Sequence, residues 1–315
     1  METLWIMLKN VIVFVLLAVP GYLLVKTKIV KEKESGVLSK LLSWVGMPFL
    51  VISSTMGITF TSEFTKNILL CFLIGILFTV GAFFLSALLV KKEDEKKKAG
   101  MQRFCMIFSN NGFLGIPLAQ AVFGNSPVVT YLIVFNILTN IAMFTLGVYL
   151  ISGDKNAVNV KKAFLSPVVI AFVLGILFNL LGVPTLLPEV STYANHLKGI
   201  VTPLSMIILG IKMAGVDFKK LFSSKKTYFV CVIKLIAVPV LGVALVWLLS
   251  LVQVVNADMV LGFFVAFAMP TAGLSSAFAD QHNGDTESAV AFTLSTTLLS
   301  VATIPFLYWL VCMIV

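Results

Sequence analysis

Apolar residues lie along the chain in ten long runs, each separated from the next by a short polar segment. Crossing about 30 Å of hydrocarbon as an α-helix takes roughly 20 apolar residues, and most of the runs reach that length. The pattern therefore predicts an all-α polytopic membrane protein with ten transmembrane helices. The predicted spans, with loose boundaries, are 4–25, 37–57, 67–90, 101–123, 127–151, 166–187, 197–215, 227–252, 257–279 and 288–312.

The first run, at residues 4–25, could in principle be a secretory signal. Its apolar stretch is too long for such a signal, and the nearby lysines mostly follow the run instead of preceding it. We therefore expect it to be the first transmembrane helix.

Basic residues alternate between the loops. When the loops are numbered in order, 19 of the 23 Lys and Arg residues lie in or beside loops one, three, five and seven. The positive-inside rule then predicts that the odd-numbered loops are cytoplasmic and that both termini lie outside the cell, with the protein in the plasma membrane. We call the two sides the odd-loop face and the even-loop face.

Two of the predicted spans contain residues that interrupt helices. Span four carries SNNGFLGIPL at 109–118, and span nine carries AMPTAGLSSA at 268–277. In hydrocarbon every unpaired backbone group costs several kcal/mol, so each break must be compensated by side chains, a neighbouring span or a ligand. We expect each span to be two half-helices joined by an extended segment. The candidate substrate-binding residues in these breaks are Ser109, Asn110, Asn111, Gly112, Gly115, Pro117, Met269, Pro270, Thr271, Gly273 and Ser275.

Prolines recur at nearly constant offsets in the two halves of the chain. Pro48 and Pro203 are 155 residues apart, and Pro117 and Pro270 are 153 residues apart. Because each half holds five spans, an odd number, the second half must enter the membrane from the opposite side. The sequence thus predicts two inverted repeats, 1–151 and 152–315, a layout used by many secondary transporters. It also predicts that the breaks in spans four and nine lie close together near the midplane.

A pair of half-helices that begin at one cavity would favour an anion. The N-terminus of a helix carries free N–H groups and about half a positive charge. Pro117 lacks an N–H and suits the first position of such a half-helix. The alternative is a pair of proline kinks with no ligand.

Three further polar residues are candidates. Asn136 and Asn140 in span five share a helix face, and they either point toward the break in span four or hydrogen-bond to a packed helix. Lys234 is the basic residue deepest in a span. It could be a fixed, anion-attracting charge, a group whose protonation is coupled to transport, or a side chain that reaches to the membrane surface.

Composition supports the membrane prediction and excludes other classes. The chain is 59% hydrophobic and 12% charged, whereas a soluble domain carries about 25% charged residues. The net charge of +9 comes from loop lysines and does not indicate nucleic acid as a partner. The four cysteines lie in apolar runs and are interpreted as packing residues. We found no spacing typical of a metal or catalytic site and no phosphate-binding glycine loop, so we expect no cofactor, no metal and no enzyme activity.

The two broken spans also resemble a known family. The stretches SNNGFLGIPLAQAVFG and AMPTAGLSSAFADQHNGDTESAVAFTLSTTLLSVATIPF look like the auxin efflux carrier family, which includes plant PIN-type carriers and bacterial malate and malonate permeases. The resemblance implies a fold like that of bile acid/sodium symporters and sodium/proton antiporters. It implies a dimerising scaffold of spans one, two, six and seven and a mobile transport domain of spans three to five and eight to ten.

The resemblance also assigns roles within the breaks. The pair Asn111-Gly112 would face a substrate carboxylate, and Pro117 and Pro270 would mark the crossover of the two broken helices. The chain lacks the long cytoplasmic loop of the plant carriers and departs from their crossover motif. These differences favour a carrier of small carboxylates over a carrier of auxin itself.

Together these features predict a secondary transporter of small organic anions that works by an elevator-type movement and forms a homodimer in the lipid bilayer. One alternative is a sodium- or proton-coupled carrier of another solute on the same fold. Another is a membrane sensor that binds a ligand without moving it across.

Overall fold

The computed structural model describes residues 2–58, 61–90, 96–124, 126–215, 221–222 and 224–314. Helices account for the regular structure of this part of the chain, and no β-strand occurs in it. The loop lysines Lys91, Lys92, Lys219 and Lys220, which the topology prediction uses, lie outside the described residues.

We number the main helices in chain order. They are α1 (Glu2–Lys26), α2 (Glu32–Met56), α3 (Ser62–Leu89), α4 (Lys96–Ile107), α5 (Asn111–Phe123), α6 (Pro127–Ser152), α7 (Pro167–Leu180), α8 (Pro188–Ala214), α9 (Lys225–Leu251), α10 (Ala257–Ala268), α11 (Ser275–Gln281) and α12 (Thr286–Val311). Short helical turns at Lys155–Ala157, Val160–Phe164 and Val183–Leu186 connect them.

Seven of these helices, α1, α2, α3, α6, α8, α9 and α12, are long and apolar enough to cross a membrane. The protein is therefore a multi-pass membrane protein. The shorter apolar helices α5, α7 and α10 lie in predicted spans four, six and nine. At 1.5 Å per residue, the 14 residues of α7 extend only about 21 Å. The count of ten spans thus remains a prediction.

Side-chain caps set where several helices begin. Thr61 accepts a hydrogen bond from the Phe64 N–H at the start of α3. Ser126, Asn256 and Asp285 cap α6, α10 and α12 in the same way. Each cap satisfies one of the N–H groups that the first turn of a helix leaves without a partner.

Helices α1, α2, α7 and α8 pack against one another. Helix α1 lies along α8, and α2 lies against both α7 and α8. Glycines permit the close approach of α1 and α8, because a Cβ on Gly21 would collide with the Ile207 carbonyl and one on Gly210 with the Ala18 carbonyl. The Asn179 side chain of α7 donates to the carbonyls of Met56 and Ile58 at 2.6 and 2.7 Å, which caps the end of α2.

The remaining helices form a second group. Helix α6 packs against α3 and α10, and α12 packs against α4, α9 and α11. A stack of aromatic rings fills its centre, with Phe78 and Phe267 centroids 3.9 Å apart and Phe135 edge-on to Phe267. Buried aromatic pairs of this kind add stability beyond the area that they bury.

The backbone leaves the helix in both spans where helix-breaking residues occur. Helix α4 ends at Ile107 and α5 begins at Asn111, while α10 ends at Ala268 and α11 begins at Ser275. The position predicted for Pro117 needs a correction. Helix α5 restarts at Asn111 with a π-helical turn, so Pro117 lies inside the half-helix and not at its first residue.

Candidate functional site

The two interrupted segments pair with each other through their backbones. Ser109 and Thr271 form an isolated antiparallel bridge. The Asn110 N–H donates to the Pro270 carbonyl at 2.8 Å, and the Ala272 N–H donates to the Phe108 carbonyl at 3.0 Å. Each break thus supplies hydrogen bonds that the other has lost, which makes non-helical backbone tolerable inside a membrane protein. We call this pairing the crossover.

Side-chain hydroxyl groups of the crossover and of α12 add further hydrogen bonds to this backbone pairing. The Thr271 hydroxyl donates to the Cys105 carbonyl at 2.9 Å, and the Thr271 N–H donates to the Thr296 hydroxyl at 3.2 Å. Ser275 forms a short hydrogen bond with Thr293. The crossover is therefore anchored to both α4 and α12, which makes it a rigid platform.

A cavity of about 560 Å³ opens beside the crossover toward the odd-loop face. Its size suits a small organic molecule. Predicted residues at its wall are Ser109, Asn110, Gly112, Asn136, Asn140 and Gly273. The structure thus brings together the break in span four, the polar face of span five and the break in span nine.

The other predicted residues lie outside the wall of this cavity. They are Asn111, Gly115, Pro117, Lys234, Met269, Pro270, Thr271 and Ser275. Pro270 and Thr271 form the crossover, and Met269 fills the space beside Gly115, since a Cβ on Gly115 would lie 3.0 Å from Met269 Cγ. These residues therefore support the cavity wall without lining the cavity.

The two adjacent asparagines differ in environment. Asn110 lines the cavity, and its amide packs against Gly273. The Asn111 side chain is completely buried, and neither its Oδ1 nor its Nδ2 has a partner among the described residues. In this conformation Asn110, and not Asn111, is the asparagine that a ligand in the cavity can reach.

Lys234 lies directly behind the cavity wall. It sits in a π-helical turn of α9, has no exposed surface, and its Nζ donates to the Ser109 hydroxyl at 2.6 Å. No ion pair of Lys234 is found in the described part of the chain. A buried ammonium without a carboxylate is costly, and such residues in membrane proteins mark functional sites by default.

The remaining features of the wall are a cation and several large side chains. Lys40 of α2 is the charged residue among the described residues that line the cavity, and Trp44, Met47 and Phe113 supply apolar surface. Sequence reasoning treated Lys40 only as a residue that orients the protein. The sequence feature that could have identified Lys40 as a cavity residue is its position one helical turn before Trp44, at the start of a span.

Sequence reasoning also missed Lys212. This half-buried residue in the last turn of α8 donates its Nζ to the Gly273 carbonyl at 3.1 Å. It belongs to a second cavity of about 600 Å³ on the odd-loop face, together with Glu32 and Asp280. The lysine therefore joins the α1–α2–α7–α8 group to the crossover.

Comparisons with known proteins cover nearly the whole chain. The sequence model of a family described as membrane transport protein matches residues 6–161 and 155–308. The chain is 26% identical over 301 residues to an uncharacterized transporter of Methanothermobacter thermautotrophicus, which covers 94% of each protein. It is 27% identical over 218 residues to uncharacterized transporter MJ1031 of Methanocaldococcus jannaschii, covering 65% of this chain and 68% of that protein.

Proposed function

The chain belongs to the membrane transport protein family, and on that premise we propose that it is a secondary transporter of small carboxylates. The observation that carries the proposal is the cavity beside the crossover, where Asn110 and Ser109 lie in the wall and the Ser109 hydroxyl accepts a hydrogen bond from buried Lys234.

The chemistry of the cavity favours an anion. No acidic side chain lines it among the described residues, Lys40 stands at its rim, and Lys234 lies behind Ser109. The first turn of α5 begins at Asn111, and Gly112 in that turn lines the cavity. Free N–H groups at a helix N-terminus add a partial positive charge. A carboxylate would satisfy these donors, whereas a cation would be repelled by Lys40 and would find no carboxylate among the described lining residues.

We infer that transport occurs by an elevator-type movement. The mobile part would comprise α3 to α6 and α9 to α12, and the scaffold would comprise α1, α2, α7 and α8. In support, the most extensive helix packing lies within the groups, between α1 and α8, α2 and α7, and α6 and α10, while α1 packs less extensively on α12 across them. Dimerisation through the scaffold, two inverted repeats, and insertion in the plasma membrane with both termini outside are further parts of the proposal.

Among the described residues, two side-chain hydrogen bonds join the proposed scaffold to the proposed mobile part. Lys212 of α8 donates to the Gly273 carbonyl at 3.1 Å, and Gln120 of α5 donates to Ser54 of α2 at 3.2 Å. A sliding movement of one part past the other must break both bonds. They would therefore stabilise the conformation in which the cavity opens toward the odd-loop face.

Replacing Lys212 by methionine should shift the protein away from this conformation. Hydrogen bonds to charged groups contribute about 1.5–3 kcal/mol, enough for a roughly tenfold or greater change in a two-state equilibrium. We expect an impermeant maleimide, added from the odd-loop face, to label Ala277→Cys at least about twofold more slowly, in a background with Cys312→Ser. Ala277 lines the cavity and is exposed.

The matched control for this measurement is Lys33→Met. Lys33 lines the same second cavity as Lys212, but its side chain makes no described bond across the two parts. Equal labelling rates in Lys212→Met, Lys33→Met and the parent protein would contradict the elevator proposal.

The substrate class is tested by two measurements on purified protein. A thermal-shift screen should show stabilisation by some member of a panel of acetate, malonate, succinate, malate and indole-3-acetate, since a ligand at 100 times its Kd stabilises by about 2.7 kcal/mol. Proteoliposomes should then take up that carboxylate in labelled form. Binding without uptake would indicate a sensor, and stabilisation by none of the panel, together with no uptake, would contradict the proposal.

Ion coupling is decided in the same proteoliposomes. Uptake is measured with and without imposed sodium and proton gradients. We expect neither gradient to be required, because no acidic side chain among the described residues lines the crossover cavity to bind sodium or carry a proton. Uptake that depends on either gradient would identify a coupled carrier instead.

A further inference from the structure

A separate cavity of about 490 Å³ lies on the even-loop face, between α2, α5, α6 and the first half of α8. It is bounded by polar side chains from all four helices. They include Ser54, Gln120, Ser126, Thr130, Asn195 and Lys198. Such a concentration of polar groups in a chain this apolar is typical of a site for a polar ligand.

The residues of α8 that line this cavity correspond, in the proposed inverted repeat, to residues of α2 that line the crossover cavity. The offset of 155 residues that relates the prolines of spans two and seven takes Lys40 to Asn195 and Ser43 to Lys198. Lys40 and Ser43 line the crossover cavity on the odd-loop face, and Asn195 and Lys198 line the cavity on the even-loop face. A lysine is present on each side, three positions or about one helical turn apart in the repeat.

The mobile side of each cavity is a half-helix that follows a break. Gln120 and Gly124, at the end of α5, line the even-face cavity. Ala277 and Gln281 of α11, the half-helix that follows the break in span nine, line the crossover cavity. Two cavities on opposite faces, each walled by one of these half-helices, are what an inverted repeat produces when it binds one ligand from either side.

The Lys198 ammonium has no described partner in this cavity. It is half-buried, it is the charged residue among the described lining residues, and it forms no described ion pair or hydrogen bond. Neighbouring Asn195 accepts a hydrogen bond from Ser53 through Oδ1 at 2.6 Å, which leaves its Nδ2 donor for a ligand. A free ammonium beside a free amide donor matches a carboxylate.

We propose that the even-face cavity is a second carboxylate site, in which the Lys198 ammonium and the Asn195 amide hold the substrate on the face opposite the crossover cavity. The proposal rests on the transport function proposed above. Lys198 would do for the even-loop face what Lys40 does for the odd-loop face, and each lysine would act on substrate arriving from its own side.

The test compares uptake from the two faces. The probe is the carboxylate that the wild-type protein transports fastest among acetate, malonate, succinate and malate, measured in intact cells and in inverted membrane vesicles. Lys198→Gln should raise the KM about tenfold for substrate presented to the even-loop face and change it less than twofold for the odd-loop face. Lys40→Gln should show the opposite asymmetry.

Two variants serve as controls. Lys66→Gln removes an exposed lysine of α3 on the same face and should leave both KM values unchanged. Lys198→Arg keeps the charge and should retain most of the affinity. The face exposed in each preparation is identified by labelling Lys66→Cys with an impermeant maleimide.

The outcomes separate this site from the transport function itself. Absence of carboxylate flux in the wild-type protein would reject the proposed function. Wild-type flux with Lys198→Gln unchanged on both faces, or with an equal loss from both faces, would overturn the second site while leaving the transporter assignment intact.

Discussion

Replacing Asn110 by alanine should reduce carboxylate uptake by about 10- to 100-fold. Asn110 places its amide in the wall of the crossover cavity, where it would donate to a bound carboxylate. A hydrogen bond to a charged ligand contributes about 1.5–3 kcal/mol, which gives the size of the loss. The measurement is initial uptake of the best substrate into proteoliposomes containing equal amounts of folded protein.

The fold should survive this substitution. The contribution of Asn110 to the crossover comes from its backbone, whose N–H donates to the Pro270 carbonyl at 2.8 Å, and alanine keeps that group. Asn10→Ala is the matched control, because the Asn10 amide is exposed and bonds only to the Ile6 carbonyl of its own helix at 2.9 Å. Its uptake should equal that of the wild-type protein.

A parallel variant, Asn111→Ala, decides between the two asparagines. The resemblance to auxin carriers assigns the substrate contact to Asn111, whereas the structure buries that side chain away from the cavity. If uptake is lost in Asn111→Ala and kept in Asn110→Ala, then the substrate site is the buried position and the assignment of the cavity is wrong. The reverse result is the expected one.

The second large effect is expected at Lys234. Replacing it by methionine should lower uptake by at least about 100-fold and, at the same time, raise the thermal midpoint of the protein by several degrees. Taking a charge out of water costs several kcal/mol, and an apolar side chain of similar volume does not carry that cost. Loss of activity with a gain in stability is typical of a residue retained for function.

Two further variants identify how Lys234 acts. Ser109→Ala removes the hydroxyl that accepts its hydrogen bond at 2.6 Å and should cause a smaller loss of uptake. Lys234→Arg retains a positive charge and should keep measurable uptake if the ammonium is a fixed charge. Lower stability together with unchanged uptake in Lys234→Met would contradict the proposed role and indicate a structural one.

The crossover explains why poor helix formers occur in the middle of two apolar spans. Gly112 and Gly273 allow the close approach of neighbouring groups, since a Cβ on Gly112 would lie 3.0 Å from Met47 Cε and one on Gly273 would lie 3.2 Å from Asn110 Nδ2. The paired backbones replace the missing helical hydrogen bonds. A continuous helix at either position would remove the wall of the cavity.

Properties that depend on local composition were evident from the sequence. Membrane insertion follows from apolar length, and the breaks in spans four and nine follow from glycine, proline and asparagine within an apolar run. Because the same reasoning locates polar side chains along a span, it also identified Asn110, Asn136 and Asn140 at the cavity. The exact span count was harder to establish, because α5, α7 and α10 are too short to cross the membrane alone.

Contacts between distant parts of the chain were decided only by the tertiary structure. Lys234 and Ser109 are 125 residues apart, and Lys212 and Gly273 are 61 residues apart. Whether such side chains meet depends on the rotation of each helix about its axis and on how closely neighbouring helices pack, which no local pattern specifies. The sequence by itself determined a membrane protein with two broken spans, and the packing of its helices decided which of the polar residues face one cavity.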